Sequence, residues 1–281
     1  MLNEEDPTIL CLTEVALKSN EIHNYKLSNY KLLANYCRNE EKARGGGVSI
    51  YAKEESNLEY EKIEIATLCT DNIFEAAAVK LKIKQEDIII LATYRPPSEN
   101  HHDIDNFIES LIDVLEIIQS NNNHLIIIGD LNICTMNPTY KLQRLNESLN
   151  IFDLKTTVNE PTRVTHNTQT CIDNIITNLN HGAFTTRVHK TQISDHYGIS
   201  ITLNQSHWLK KEIYKECRIG LGKNEPQLRY QELLENETWE KVYQEKDLNI
   251  SYAVFEKILI KHFNFVFTKK YVGPKTNKTK K

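Results

Sequence analysis

No apolar run in this chain approaches the roughly 20 residues that a membrane span requires. The longest, Ile88–Ala92, has polar neighbours. The start, Met1-Leu-Asn-Glu-Glu-Asp6, is acidic and lacks the apolar stretch of a secretory signal. The expectation is a protein of the nucleus or cytoplasm, neither secreted nor membrane-bound. Six cysteines stand far apart, at positions 11, 37, 69, 134, 171 and 217. None falls in a CxxC or a Cys/His zinc spacing, which argues against a disulfide framework and against a structural zinc. GxSxG, HExxH and GxxxxGK(S/T) are all missing, so the signatures of a serine hydrolase, a zincin and a P-loop enzyme are absent. No internal repeat is visible.

A general positive field is also missing. The 281 residues carry a net charge of −4, and the last thirteen, 269–281, hold six lysines and no acid, so the first 268 sum to −10. A body this acidic cannot hold a polyanion by bulk attraction and needs bound cations or a local basic rim. The basic end reads either as a phosphate-contacting arm or as a solvated linker.

What is present is a large core. Hydrophobic residues make up 40% and charged residues 26%, a balance that suits one sizeable α/β domain with an appendage. Strands are expected at Ile9–Thr13, Val48–Lys53, Phe74–Ile83, Asp87–Tyr94, His124–Gly129, Arg163–His166, Cys171–Thr177 and Gly198–Leu203, from alternation or from short β-rich runs. Arg44-Gly-Gly-Gly47 reads as the turn into Val48–Lys53. Ile104, Phe107, Ile108, Leu111, Ile112 and Leu115 recur at helical spacing and predict a helix over Asp103–Gln119; a second is expected near Tyr140–Leu149. Strands without strict βαβ alternation favour an α/β sandwich of two sheets over a doubly wound one. The expected organisation is one domain over 1–204, a small helical region over 205–268 and a disordered Lys-rich tail over 269–281.

Polar side chains recur at the ends of the apolar strands. Glu14 follows the first. Tyr94 ends the strand from Asp87, Asp130 and Asn132 follow Gly129, Asp173 and Asn174 lie in Cys171–Thr177, and Asp195-His196 precedes Gly198. Each has a plainer reading alone: a solvated charge for Glu14, an Asx turn for Asp130-Leu-Asn132, a local cap for Asp173, a packing ring for Tyr94. Together, five strand ends suggest one convergent site, because a strand end holds a side chain rigidly over a cleft. Carboxylates with an amide suit a hard cation such as Mg²⁺. A carboxylate can deprotonate a water, and a histidine beside a carboxylate can donate to an anionic transition state. The set suits phosphodiester hydrolysis.

In order and spacing, Leu12-Thr-Glu14, Ala92-Thr-Tyr-Arg-Pro-Pro97, Ile128-Gly-Asp-Leu-Asn132, Cys171-Ile-Asp-Asn174 and Ser194-Asp-His196 resemble the signature segments of the endonuclease/exonuclease/phosphatase superfamily, which includes the abasic-site endonucleases and DNase I. The forms Tyr-Arg-Pro-Pro, Cys-Ile-Asp-Asn-Ile and Arg-Gly-Gly-Gly-Val-x-Ile-Tyr look like the endonuclease domains of jockey-like non-LTR retrotransposons, and 235–267 looks like the segment that leads there into reverse transcriptase. The resemblance implies a four-layer α/β/β/α sandwich that nicks DNA with Mg²⁺ or Mn²⁺ and no small-molecule cofactor. It implies Glu14 as metal ligand and Asp195 as ligand to the metal or its waters. Asp130, helped by Asn132, would activate water or protonate the leaving group. Asp173 would pair with His196 at the phosphate, and Tyr94 would hydrogen-bond that phosphate. The superfamily opens with a core strand bearing a catalytic Asn and a helix. Only eight residues precede Ile9 here, and Asn3 has an acidic, non-strand context. The expectation is therefore a sandwich without its first strand and most of its first helix, gapped beside the centre of one sheet, less stable and less active. Two other readings stand beside the endonuclease: a superfamily phosphatase, and an inactive fragment kept as a binding module.

Overall fold

The computed structural model describes residues 6–38, 45–83, 86–98, 101–119, 123–190, 194–204, 215–219, 225–266 and 268–272. The chain forms two compact units, Met1–His207 and Trp208–Lys281. In the first, six strands make one sheet in the order β4-β5-β6-β7-β11-β8. These are β4 (Glu59–Ile63), β5 (Glu75–Ile83), β6 (Glu86–Tyr94), β7 (His124–Asp130), β8 (Lys155–Thr156) and β11 (Asp173–Thr177). β6 and β7 run parallel; the other pairs are antiparallel. The parallel step needs a crossover, which helix α1 (His101–Ile118) supplies.

α1 buries Ile104, Phe107, Ile108, Leu111, Val114, Leu115 and Ile118, a stripe at helical spacing. With α2 (Tyr140–Ile151) it covers one face of the sheet, against Ala76, Ala78, Ile89, Leu91, Leu125 and Ile127. The opposite face carries Ala77, Val79, Leu81, Ile88 and Ile90, also buried. This explains why β6 reads as a near-continuous apolar run: it is covered on both faces.

The second layer comes in two pieces. β1 (Ile9–Thr13), β3 (Val48–Lys53) and β2 (Tyr30–Tyr36) form a sheet in the order β1-β3-β2, which packs on β5, β6 and β7. β12 (Phe184–His189) and β13 (Gly198–Leu203) form a separate pair, with β13 against β11. Among the described residues no strand joins β1 to β13, and both are only half-buried along their length, unlike β3. The layer is thus divided between β1 and β13 among the described residues. The only helical element described before β3 is a single 3₁₀ turn, Ile22–Asn24. A short hairpin, β9 (Arg163–Val164) with β10 (Gln169–Thr170), completes the unit.

The second unit holds α3 (Glu225–Glu235), α4 (Glu240–Tyr243) and α5 (Leu248–Val266), joined by ring contacts of Tyr230 with Phe263 and Trp239 with Phe255. The organisation changes in one respect. β14 (Lys215–Ile219) pairs with β15 (Thr268–Val272), so the 205–268 region is not purely helical and the Lys-rich tail does not begin as coil. Thr268-Lys-Lys-Tyr-Val alternates weakly, and pairing supplies what its charge conceals. Positions 273–281 and Arg44 lie outside the described residues. Strands β2, β4 and β12 also escape the sequence reading. β4 is an exposed, charged edge strand, Glu-Tyr-Glu-Lys-Ile, with little apolar pattern to announce it. No helix among the described residues is long and apolar enough to cross a membrane. The five described cysteines are free thiols.

Candidate active site

Strand register brings the candidate residues into one row. Across the end of the large sheet, Glu75 on β5 stands opposite Tyr94 on β6, Tyr94 opposite Asp130 on β7, and Asp130 opposite Asp173 on β11. Directly opposed residues project to the same face. The four polar side chains therefore line one edge of the sandwich, facing the second layer.

Glu14, just past β1, reaches this row from that layer, and the Tyr94 hydroxyl donates to Glu14 Oε1. Glu14 is solvent-exposed and takes a left-handed backbone conformation, φ 55°. Such a conformation costs a non-glycine residue about 1–3 kcal/mol and needs support from its surroundings. Burial, the Glu14 hydrogen bond and the neighbouring charge of Glu14 all push the Tyr94 phenol up, so it stays protonated and remains a donor.

Asp130 is buried and is clasped by its neighbour Asn132: the backbone N–H donates to Oδ1 at 2.9 Å and the side-chain amide to Oδ2 at 3.1 Å. The same amide donates to the Arg95 carbonyl at 2.8 Å, which ties the loop to the end of β6. Gly129 is required here. A Cβ at its φ of 154° would lie 1.8 Å from the Thr93 carbonyl oxygen. Burial, then the charge of Asp173, pushes the Asp130 carboxyl up from 3.8 to about 7, against the opposing pull of the Asn132 N–H and His196.

His196 Nδ1 lies 3.1 Å from both oxygens of Asp173. That hydrogen bond raises the imidazole above its usual value, outweighing the effect of burial. Thr162, fully buried, organises the pair. Its hydroxyl donates to Asp173 Oδ2 at 2.7 Å and accepts from the Asp173 N–H at 3.0 Å, while its carbonyl accepts from the Tyr197 N–H at 2.6 Å. Asn174 is buried and structural: its Oδ1 accepts from the Thr157 N–H at 3.1 Å.

The donor atoms of Asp130, Asp173 and His196 lie within 4.8 Å of one another. A divalent cation suits this region: the oxygens are hard donors, and the repulsion that raises Asp130 includes Asp173 and Glu14, which a positive charge would relieve. Asp195 is not one of these three, though its charge also raises His196. Arg163 Nε donates to Asp195 Oδ2 at 2.7 Å on a surface where Asp195 is 45% exposed, and this contact lowers its carboxyl. The structure thus gathers Glu14, Tyr94, Asp130, Asn132, Asp173 and His196, and engages Asp195 with Arg163. Thr162 and Glu75 escape the sequence reading. A lone glutamate inside Phe74-Glu-Ala-Ala-Ala-Val79 was the available signal for Glu75; a threonine in a loop offered none for Thr162.

Comparison with known proteins bears on the family and the fold. A family model described as the Endonuclease/Exonuclease/phosphatase family matches residues 1–196. No curated protein matches the chain. Among solved structures, the fold is similar to the endonuclease domain of TRAS1, a telomere-specific non-LTR retrotransposon, with TM-score 0.57 and 15% identity over 72% of this chain and 88% of that one. It is similar also to the 3′ phosphatase NExo from Neisseria, solved bound to product DNA hairpin, with TM-score 0.53 and 13% identity over 72% and 91%. At these identities the likeness is one of fold.

Proposed function

The chain belongs to the endonuclease/exonuclease/phosphatase family, and on that premise we propose that it is a metal-dependent endonuclease of non-LTR retrotransposon type. It would nick one DNA strand by hydrolysis and leave a 3′ hydroxyl to prime reverse transcription. The observation that carries this reading is the register row Tyr94–Asp130–Asp173 with His196 hydrogen-bonded at its end. Its side chains face one edge, where they would serve as a proton acceptor, a proton donor and a neutral hydrogen-bond donor. The retrotransposon lineage is supported by the Tyr-Arg-Pro-Pro and Cys-Ile-Asp-Asn segments together with the likeness of fold to the TRAS1 domain. Such an activity works on chromosomal DNA and so belongs in the nucleus.

Each residue has a step suited to its environment. Asp130, its carboxyl near 7, accepts the proton of the attacking water as the new P–O bond forms. Asn132 holds the carboxylate in one orientation. His196, kept protonated by Asp173, donates to a phosphate oxygen as charge builds on it. The Tyr94 phenol, which does not ionise, has a single O–H, given to Glu14 in the substrate-free protein, and would turn it to the same phosphate on substrate binding. The P–O3′ bond breaks, and the departing oxygen takes the proton held by Asp130, or one from solvent, to become the 3′ hydroxyl. Glu14, beside the acidic row, would hold Mg²⁺ or Mn²⁺, which would supply charge neutralisation for the reacting phosphodiester. Asp195, hydrogen-bonded to Arg163, would serve that ion or its waters.

The test is the full chain with supercoiled plasmid and Mg²⁺, with and without EDTA. Metal-dependent nicking that disappears in His196→Ala is the expected result. Phosphate release from 3′-phosphorylated DNA ends without nicking would replace this reading with a phosphatase, for which the fold of the Neisseria enzyme is a precedent. Folded protein that does neither would leave a binding module.

A further inference from the structure

The row has a fourth member that the proposed chemistry does not use. Glu75 is fully buried, 0% exposed, at the site end of β5, beside Tyr94. Its carboxylate accepts three hydrogen bonds: from Arg38 Nε at 2.6 Å, from the Gly47 N–H at 2.6 Å and from the Asn72 N–H at 3.1 Å. Arg38 is itself only 7% exposed. A buried ion pair is weak evidence of stabilisation, since desolvating two charges offsets most of their attraction. Its value here lies in what it holds.

We propose that the Glu75–Arg38 pair is a positioning device for Glu14, acting through the glycine turn at 45–47. Gly46 lies against the Arg38 side chain so closely that a Cβ on it would come within 2.2 Å of Nε; Gly47 is bonded to Glu75. The turn in turn holds the two residues after Glu14. The Ala16 N–H donates to the Gly46 carbonyl at 2.8 Å, and the Val15 N–H points to the Gly47 carbonyl at 3.4 Å. Glu14 and Ala16 both take left-handed conformations, φ 55° and 53°, that neither residue type favours alone. The glycine turn supplies the bonds that hold them there. Glu14 is thus set from two sides by adjacent members of one row: Tyr94 fixes its carboxylate and Glu75 fixes its backbone.

This rests on the reading of Glu14 as the residue that holds the metal, so the assay reads metal uptake, separately from DNA cleavage. Mn²⁺ binding to the full chain is followed by the electron paramagnetic resonance of the free ion, with circular dichroism as a check of folding. Two variants are compared with the parent protein. Glu75→Gln removes the charge that Arg38 pairs with. Ala16→Pro lies in an exposed loop, removes the N–H that reaches Gly46 and forbids the positive φ. Leu111→Ala, in the core far along α1, serves as a control for simple destabilisation. The expected result is at least a tenfold rise in the Mn²⁺ dissociation constant for both variants, with the Leu111→Ala value unchanged. Folded variants that bind Mn²⁺ as the parent does would overturn the inference and leave the metal site standing. If Glu75→Gln does not fold, Ala16→Pro decides alone. A parent protein that takes up no Mn²⁺ would overturn the metal reading itself and this inference with it.

Discussion

Replacing Asp130 by Asn makes the metal-free protein more stable at alkaline pH, although it removes a residue of the site. The carboxyl ionises near 3.8 in an unconstrained chain and near 7 when folded, because burial and Asp173 disfavour its charge. A raised value means that the folded protein holds the proton more tightly than the unfolded chain. The stabilising contribution is therefore complete below about pH 4 and is lost as pH rises through 7. With each pKa unit worth about 1.4 kcal/mol, the loss between pH 5 and pH 8 is on the order of 3 kcal/mol. His196, also raised, adds a loss of the same sign. Asn cannot ionise, and its carbonyl oxygen can still accept the Asn132 N–H. Urea unfolding of the full chain in EDTA, followed by far-ultraviolet circular dichroism at pH 5 and pH 8, should show the parent losing stability and Asp130→Asn losing much less. Mg²⁺ at pH 8 should stabilise the parent more than the variant, which keeps Glu14 but has lost the buried charge that a cation relieves. Parallel pH profiles for the two proteins would refute the claim that Asp130 is strained by its surroundings.

Four further outcomes are expected. His196→Ala should lower nicking by about 100- to 1,000-fold with little change in melting temperature, as removal of one transition-state donor does; a change under tenfold counts against its role. Because Asp173 holds the imidazole protonated, nicking by the parent should fall as pH rises through the histidine's raised pKa, and Asp173→Asn should move that fall to lower pH, measured as initial rates at fixed Mg²⁺. Gly129→Ala should cost more than about 3 kcal/mol by urea unfolding, since its methyl group would collide with the Thr93 carbonyl in the β6–β7 ladder. Thr162→Val should destabilise by about 1–3 kcal/mol, since the Ile172 and Asp173 N–H groups lose the hydroxyl oxygen they donate to, and a neutral result would show that the threonine organises nothing.

The order of the site was legible because each residue sits at the end of a strand whose apolar run stops abruptly. Glu14, Tyr94, Asp130, Asp173 and His196 could be picked out one by one for this reason, and the α1 helix by its stripe from Ile104 to Leu115. What the chain does with Asp195 could not be read, since an ion pair with Arg163 joins segments 32 residues apart. Thr162 and the Glu75–Arg38 pair were hidden for the same reason. Their partners come from other elements, and nothing local marks a loop threonine or a strand glutamate as part of a site.

Local sequence thus determined the periodicities and the residue types at each strand end, because these depend on a few neighbouring side chains. Tertiary structure alone decided the register. A shift of one residue between β6 and β7 would send Tyr94 and Asp130 to opposite faces, since strand side chains alternate. That register follows from burying both faces of β5, β6 and β7 at once, a condition set by the helices and the second sheet together. The same packing put Glu75, Tyr94, Asp130 and Asp173 in one row and left the second layer divided between β1 and β13.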